Sequence, residues 1–155
     1  MLAAGNGTVE VTALLIKAGA AVDRSGPYGK TALMKAAYAG NVAVIKLLIK
    51  AGAQVNARDL DGATALLWAA ERGMTASVAA LLEQGADIEL SNDEGWTALF
   101  EAANRGSVET VRLLLKQGAL PTTVDSSGAS PADYARSNDY QQIVELLEGA
   151  KAPPQ

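Results

Sequence analysis

The chain contains no histidine and no cysteine, so carboxylates, lysines and hydroxyls are the side chains left to do chemistry. Ser-His-Asp and Cys-His nucleophiles and His/Cys zinc sites are therefore excluded within this sequence. The adjacent carboxylates Asp93 and Glu94 have the types that general acid-base catalysis requires, but they stand in a polar, turn-rich segment where burial would not shift a pKa. We predict no catalytic residue, no metal ligand and no cofactor, and a protein that is not an enzyme.

Two short motifs are similar to ligand-binding loops without completing them. The stretch GPYGKT at 26–31 ends like a phosphate-binding loop, but the first glycine of that motif would stand at Arg24. The stretch ARDLDG at 57–62 is spaced like part of a calcium loop, but Ala57 and Trp68 occupy its first and twelfth ligand positions. We interpret both stretches as turns.

Composition indicates a single domain with its own core, because 155 residues are 49% hydrophobic. The 13 basic and 17 acidic residues give a net charge of −4 and offer no basic surface for nucleic acid or an anionic membrane. No apolar run approaches the roughly 20 residues that span a bilayer. We expect a soluble protein, a monomer rather than a homo-oligomer, with the cytoplasm only as its default compartment.

An internal repeat organises the chain, since four similar segments begin 33 residues apart. GKTALMKAAYAG, GATALLWAAERG, GWTALFEAANRG and GASPADYARSND begin at Gly29, Gly62, Gly95 and Gly128. Each is followed by a longer segment with apolar residues at helical spacing, such as VAVIKLLIKAG. The pattern predicts a short first helix and a longer second helix in every repeat.

Capping residues set the predicted ends of these helices. A hydroxyl residue stands where each first helix begins, a proline follows the last of them, and glycines stand where helices end. Ser130 and Asp133 have the spacing of a capping box. The predicted N-caps are Thr31, Thr64, Thr97 and Ser130; the predicted stops are Gly40, Gly73 and Gly106 for the first helices and Gly19, Gly52, Gly85 and Gly118 for the second.

A 33-residue period carrying T-A-L-x-x-A-A, L-L and G-A-x-[VI] resembles the ankyrin repeat, whose signature is T-P-L-H-x-A. The alanine in place of proline is more similar to bacterial members of that family. The signature histidine is also replaced, so we expect apolar packing in its place. These departures are Ala32, Ala65 and Ala98 for the proline, and Met34, Leu67, Phe100 and Asp133 for the histidine.

The resemblance implies an all-α solenoid of stacked helix-turn-helix units with hairpin-like finger loops, in which each repeat contacts only its neighbours. It also implies that fingers and first helices line a concave face used for protein binding. We divide the chain into a partial N-terminal repeat at 1–28, full repeats at 29–61, 62–94 and 95–127, and a C-terminal capping repeat at 128–150; residues 151–155 are a predicted disordered tail.

Trp68 lies on the polar side of its predicted helix, opposite Leu66, Ala69 and Ala70. The equivalent positions of neighbouring repeats change while the framework stays constant, as a recognition surface requires. Exposed Trp and Tyr are enriched among residues that dominate binding energy. We predict a partner-binding face with Trp68 and Trp96 as anchors, together with Tyr28, Lys30, Lys35, Tyr38, Arg58, Leu60, Glu71, Arg72, Glu101, Asn104 and Arg105.

This hypothesis is a non-enzymatic module that binds a protein or peptide through its concave face. It includes the expectation that alanine at Trp68 and Trp96 weakens binding at least tenfold and leaves the melting temperature almost unchanged. The alternative for each ring is packing across the neighbouring repeat. Two other functions stay open: self-association through the incomplete N-terminal repeat, and a small-molecule groove built from Trp68, Glu101 and Arg105.

Overall fold

The computed structural model describes residues 9–150, and this part of the chain forms helices and turns without strands. A short 3-10 helix at Pro27–Gly29 precedes the first complete helix pair. The α-helices are α1 (Val9–Lys17), α2 (Ala32–Tyr38), α3 (Val42–Lys50), α4 (Ala65–Glu71), α5 (Thr75–Glu83), α6 (Ala98–Asn104), α7 (Val108–Lys116), α8 (Pro131–Ser137) and α9 (Gln141–Gly149). The predictions for the start of the partial repeat and for the tail at 151–155 lie outside the described residues.

The helices recur with the period of the sequence. The short helices α2, α4, α6 and α8 each begin 33 residues after the previous one, and so do the longer helices α1, α3, α5, α7 and α9. Each short helix packs on the next short helix and on the long helix of its own repeat, while each long helix packs on the next long helix. The predicted all-α repeat solenoid is confirmed.

Side-chain caps begin most of the short helices, as the sequence predicts. Thr31, Thr64 and Ser130 are N-caps whose hydroxyl oxygens accept a hydrogen bond from the backbone N–H three residues on. Ser130 and Asp133 complete the predicted capping box. Thr97 occupies the N-cap position but its side chain accepts no such bond. The caps therefore encode where three of these four helices start.

Glycine is required at the turn from each finger into its first helix. Gly29 has φ of 73°, and a Cβ atom there would lie 2.9 Å from the backbone nitrogen of Leu60 in the next finger. Gly95 has φ of 87°, and its Cβ would lie 3.2 Å from the Cα of Asp125. Positive φ explains why the turn carries glycine in every repeat, and close approach adds a second reason at Gly29 and Gly95 but not at Gly128, where a Cβ would meet no atom within 4 Å.

Aliphatic and alanine side chains of both helix layers form one continuous core. Met34, Leu67 and Phe100, which replace the signature histidine, are at most 2% exposed. The sulfur of Met34 also accepts a hydrogen bond from the backbone N–H of Thr31, so a buried side chain helps to cap the start of this helix. Apolar packing therefore takes the place of the histidine in three repeats, whereas Asp133 in the last repeat is exposed and bonds Ser130, so the expectation is wrong there.

Ser77 is the one described residue with a buried side-chain oxygen that lacks a hydrogen-bond partner. The same repeat position holds buried Val44 in the preceding repeat and Thr110 in the next, where the Thr110 hydroxyl bonds Thr75 at 2.8 Å. Ser77→Ala removes an unsatisfied polar group, so we expect it to raise the free energy of unfolding by about 1 kcal/mol. Urea unfolding measures this gain.

The matched control is Thr110→Val, which removes a hydroxyl that is bonded. It should remove the shorter of the two hydrogen bonds of the Thr75 hydroxyl, which also bonds the carbonyl oxygen of Gly73 at 3.5 Å, and lower stability instead. Equal destabilisation by both substitutions would show that the Ser77 hydroxyl has a partner in solution.

Candidate functional site

The finger loops stand side by side and are joined through their backbones. The amide of Leu60 donates to the carbonyl oxygen of Tyr28 at 3.1 Å, and the amide of Ser126 donates to that of Glu94 at 2.9 Å. The intermediate pair of fingers is joined in the same way at 3.0 Å. One bond per pair fixes the order of the fingers along the concave face.

Three of the four fingers turn around an aspartate or asparagine to which the sequence analysis gave no role, whereas Gly26 occupies the equivalent position of the first finger. One side-chain oxygen of Asp59 accepts the backbone N–H groups of Asp61 and Ala63, at 3.1 and 2.8 Å. Asn92 and Asp125 accept the equivalent pairs in their own fingers. The signal was present, because these residues recur every 33 positions, three residues before the turn glycine.

Trp68 joins its helix to the preceding finger. Its indole Nε1–H donates to Oδ2 of Asp59 at 2.9 Å, so that aspartate uses both carboxylate oxygens within the fold. The Tyr38 ring meets the indole edge-on at 5.7 Å, and the Lys30 ammonium lies 3.6 Å from the centre of the indole. Arg72 in turn lies 4.9 Å from the Tyr38 ring. The half-buried indole is the centre of a contact between two repeats.

Trp96 occupies a second cluster, between the third full repeat and the cap. The indole Nε1–H donates to Oδ2 of Asp125 at 3.2 Å, and the ring stacks on buried Phe100 at 6.0 Å. Tyr134 meets the indole at 4.8 Å and donates its hydroxyl to the same carboxylate oxygen at 2.6 Å. This bond lowers the pKa of Asp125 and raises the pKa of Tyr134.

Both tryptophans therefore contribute to packing between repeats, and their N–H groups are already bonded. The position of Trp68 on the polar side of α4 is consistent with these contacts, because that side faces a finger. We accordingly replace the expectation that alanine at Trp68 and Trp96 leaves the melting temperature almost unchanged. The structure instead makes both residues part of what stabilises the stack.

A second set of predicted residues also links neighbouring repeats. The C-cap residue that directly follows each of three short helices reaches back to the last helical residue of the preceding short helix, 34 positions earlier. This repeated contact stabilises the concave side. The pairs are Arg72 with the ring of Tyr38, Arg105 Nη2 with Glu71 Oε1 at 2.7 Å, and Asn138 Nδ2 with Asn104 Oδ1 at 3.0 Å.

Other predicted residues remain open to solvent. Tyr28 and Leu60 are 72% and 73% exposed, the highest values among large apolar side chains of the described residues. Tyr38 is 41% exposed in spite of its ring contacts. Lys35 is half-buried, and Arg58 is exposed with its guanidinium 3.6 Å from Asp93. The open part of the face is thus centred on the first two fingers.

A pocket of about 300 Å³ lies between α4, α6 and the finger at 92–94. It brings Trp68 and Glu101 together as the sequence predicted, whereas Arg105 does not line it and pairs with Glu71 instead. Burial, with smaller contributions from Glu71 and Glu94, raises the pKa of Glu101 to about 7. The lining residues are Asp61, Ala63, Leu67, Trp68, Glu71, Asn92, Asp93, Glu94 and Glu101.

Stacked helix pairs and fingers bonded through their backbones define a helical repeat protein. Comparison with known families is consistent with this class, since the family described as ankyrin repeats (3 copies) matches residues 1–92 and 66–153. The chain belongs to the ankyrin-repeat family, whose members are generally protein-interaction modules and typically not enzymes. A search of curated proteins gave no match. No described helix is long and apolar enough to cross a membrane.

Proposed function

We propose that this protein binds a protein or peptide partner through the concave face formed by its fingers and short helices. The observation that carries the proposal is the position of Tyr28 and Leu60. These highly exposed apolar side chains stand on adjacent fingers, whose backbones are bonded to each other. An apolar pair on a rigid support can bury surface against a partner with little further loss of conformational entropy.

The backbone of Tyr28 supports the same interpretation. Its φ is 62°, and Tyr28 and Asp139 are the described non-glycine residues with positive φ. Such a conformation costs about 1 kcal/mol for a residue with a Cβ. Since the ring is exposed, packing within the fold does not offset that cost. A strained and exposed aromatic residue is the kind of outlier that marks functional sites.

The proposed surface has different anchor residues from those in the sequence hypothesis, which named the two tryptophans. Tyr28, Leu60 and Tyr38 take the place of the tryptophans as anchors, because their side chains are the accessible ones. The tryptophans become the rigid backing of the surface. The remaining predicted residues, Lys30, Lys35, Arg58, Glu71, Arg72, Glu101, Asn104 and Arg105, stay in the proposal as the polar and charged part of the same face.

The double substitution Tyr28→Asn and Leu60→Ser tests this surface. Asparagine tolerates the left-handed backbone at position 28, so the variant should fold with unchanged or slightly higher stability. We expect the partner's affinity to fall roughly tenfold or more, since truncating an anchor residue costs about 2 kcal/mol. Quantitative capture of partners from cells of the native source, followed by titration of the recovered partner, measures this loss.

The matched control is Glu109→Gln with Lys116→Gln, two exposed residues of α7 in the outer helix layer. It changes the same number of surface residues away from the concave face and should retain every partner. Partners held equally by the finger variant and this control would place the binding surface elsewhere.

A second candidate function is self-association through α1. Leu15 is 45% exposed, whereas its repeat equivalents Leu48, Leu81 and Leu114 are at most 2% exposed. Leu14, at 66% exposure, extends this apolar surface. A second copy that covers both leucines would give a dimer whose population rises with concentration. Sedimentation velocity over a wide concentration range decides, because a concentration-independent monomer removes this candidate.

A further inference from the structure

The pocket between α4 and α6 lies where the contact between helix and finger differs from that of the preceding and the following repeat. Trp68 and Tyr134, at equivalent positions, each donate a hydrogen bond to a finger carboxylate nine residues earlier. At the same position the third full repeat has Glu101, which has no donor when ionised, and the finger residue nine positions earlier is Asn92. Both line the pocket, so here the space between helix and finger is open instead of bridged by a ring.

The charge of the pocket is one-sided. Five of its lining residues are carboxylates and none is a lysine or arginine. Arg105 and Arg58 reach two of these carboxylates, those of Glu71 and Asp93. The other three, Asp61, Glu94 and Glu101, have no ion pair among residues 9–150. Trp68, Leu67 and Ala63 supply the apolar part of the wall.

We propose that this pocket receives one basic side chain, an arginine or lysine, of the partner segment that lies along the concave face. The proposal rests on the proposed function and adds the chemistry of the partner. Charge complementarity selects a cation, and the indole and leucine side chains can contact the methylene groups that precede it. At about 300 Å³ the pocket is at the small end of ligand sites and suits a single side chain.

The state of Glu101 supports the same occupant. Burial and the neighbouring carboxylates Glu71 and Glu94 raise its pKa, while Arg105 lowers it. A cation placed in the pocket would stabilise the ionised carboxylate, so binding releases a proton from the fraction of molecules in which Glu101 is protonated. Affinity for a basic side chain is therefore expected to increase as the pH rises through the pKa of Glu101.

The two tryptophans make a direct test feasible by NMR. Acetyl-arginine amide and its neutral isostere acetyl-citrulline amide are titrated into the whole chain at millimolar concentrations while the two indole N–H signals are followed. We expect arginine, and not citrulline, to shift the signal of Trp68, with Trp96 as the internal reference. No shift at Trp68, or an equal shift with citrulline, would overturn the proposal.

Variants then connect the shift to the carboxylates. Glu94→Gln combined with Glu101→Gln should weaken the binding of acetyl-arginine amide by roughly tenfold, because two charge-assisted contacts are lost. Glu109→Gln on α7 removes the same kind of charge outside the pocket and should bind like the original protein. Equal binding by the double variant would contradict the proposal even if Trp68 responds to arginine.

Selection from a random peptide library separates this inference from the function on which it rests. Enrichment of arginine or lysine that disappears with the Glu94→Gln, Glu101→Gln variant supports both. Selected peptides that require Tyr28 and Leu60 but show no basic residue would overturn the pocket proposal and leave the interaction function standing. If no selected peptide depends on any residue of the concave face, both proposals fail.

Discussion

Replacement of Trp96 by alanine is expected to lower the free energy of unfolding by about 3 kcal/mol, within the range for truncating a packed aromatic residue. The ring stacks on Phe100 and meets Tyr134, and its N–H bonds Asp125. Alanine removes all three contacts at once. Because this cluster joins the third full repeat to the cap, the loss should separate the cap from the stack before the rest unfolds.

Urea unfolding followed by far-UV circular dichroism measures the effect, with amide exchange in α8 and α9 as the local readout. Trp96→Phe is the informative control, since it keeps a six-membered aromatic ring but loses the five-membered ring with its N–H, and it should cost less than alanine, with about 1 kcal/mol from the lost hydrogen bond. Trp68→Ala should cost less than Trp96→Ala, because Trp68 contacts no ring as deeply buried as Phe100. Unchanged stability in Trp96→Ala would restore the view of Trp96 as a free anchor.

The fold was predictable because it is encoded locally and repeated. A cap such as Thr31, a turn glycine such as Gly29 and the apolar spacing of the long helices each act over a few residues. The period then tells how such units stack. No contact between distant residues is needed to deduce the solenoid, which is why sequence analysis was sufficient at this level.

The site was only partly predictable, since its contacts connect residues about nine or 34 positions apart. A helical wheel places Trp68 on the polar side of α4, but the wheel does not include Asp59, which reaches the indole from the preceding finger. It likewise identifies Arg105 as polar without indicating that Glu71 pairs with it. Polar position on a helix and availability to a partner are therefore different properties in a stacked repeat.

The contacts across repeats also change the interpretation of the charges. The sequence shows cations and carboxylates of similar number on this face, which suggests a surface of mixed sign. In the fold, Arg105 and Arg58 pair with carboxylates, and Lys30 lies over an indole. Among the residues that line the pocket, the charges without ion pairs are all carboxylates. A nearly balanced sequence thus produces a locally acidic recess, and the preference for a basic partner follows from pairing and not from composition.

The pH dependence of stability is the second large effect, and it comes from Glu101. Its pKa is raised from 4.5 to about 7 in the folded chain, chiefly by burial. The folded chain therefore takes up a proton between about pH 7 and pH 4.5 that the unfolded chain does not yet bind. Stability should rise as the pH falls through this window, by up to an amount on the order of 3 kcal/mol.

Two carboxyl groups respond in the opposite direction, but at lower pH. Hydrogen bonds from Tyr134 and Ser127 lower the pKa of Asp125, and those from Ser130 lower the pKa of Asp133. Their stabilising effect is present above the unfolded value of 3.8 and is lost as the pH falls below it. Stability should therefore reach its maximum between the two windows, near pH 4.5, where Glu101 is protonated and both aspartates remain charged.

Glu101→Gln tests this assignment, because glutamine resembles the protonated acid and does not titrate. Unfolding in urea at about pH 8 should show the variant more stable than the original protein by on the order of 3 kcal/mol, and at about pH 4.5 the two should agree. Glu109→Gln, which changes an exposed carboxylate of α7, should keep the original profile. A flat profile in the original protein would mean that the Glu101 carboxylate is well solvated. The Glu101 carboxylate lowers stability when it is charged and the pocket is empty, and it gains a partner when a cation enters the pocket. The stability of the third full repeat is therefore expected to depend on whether its pocket is occupied.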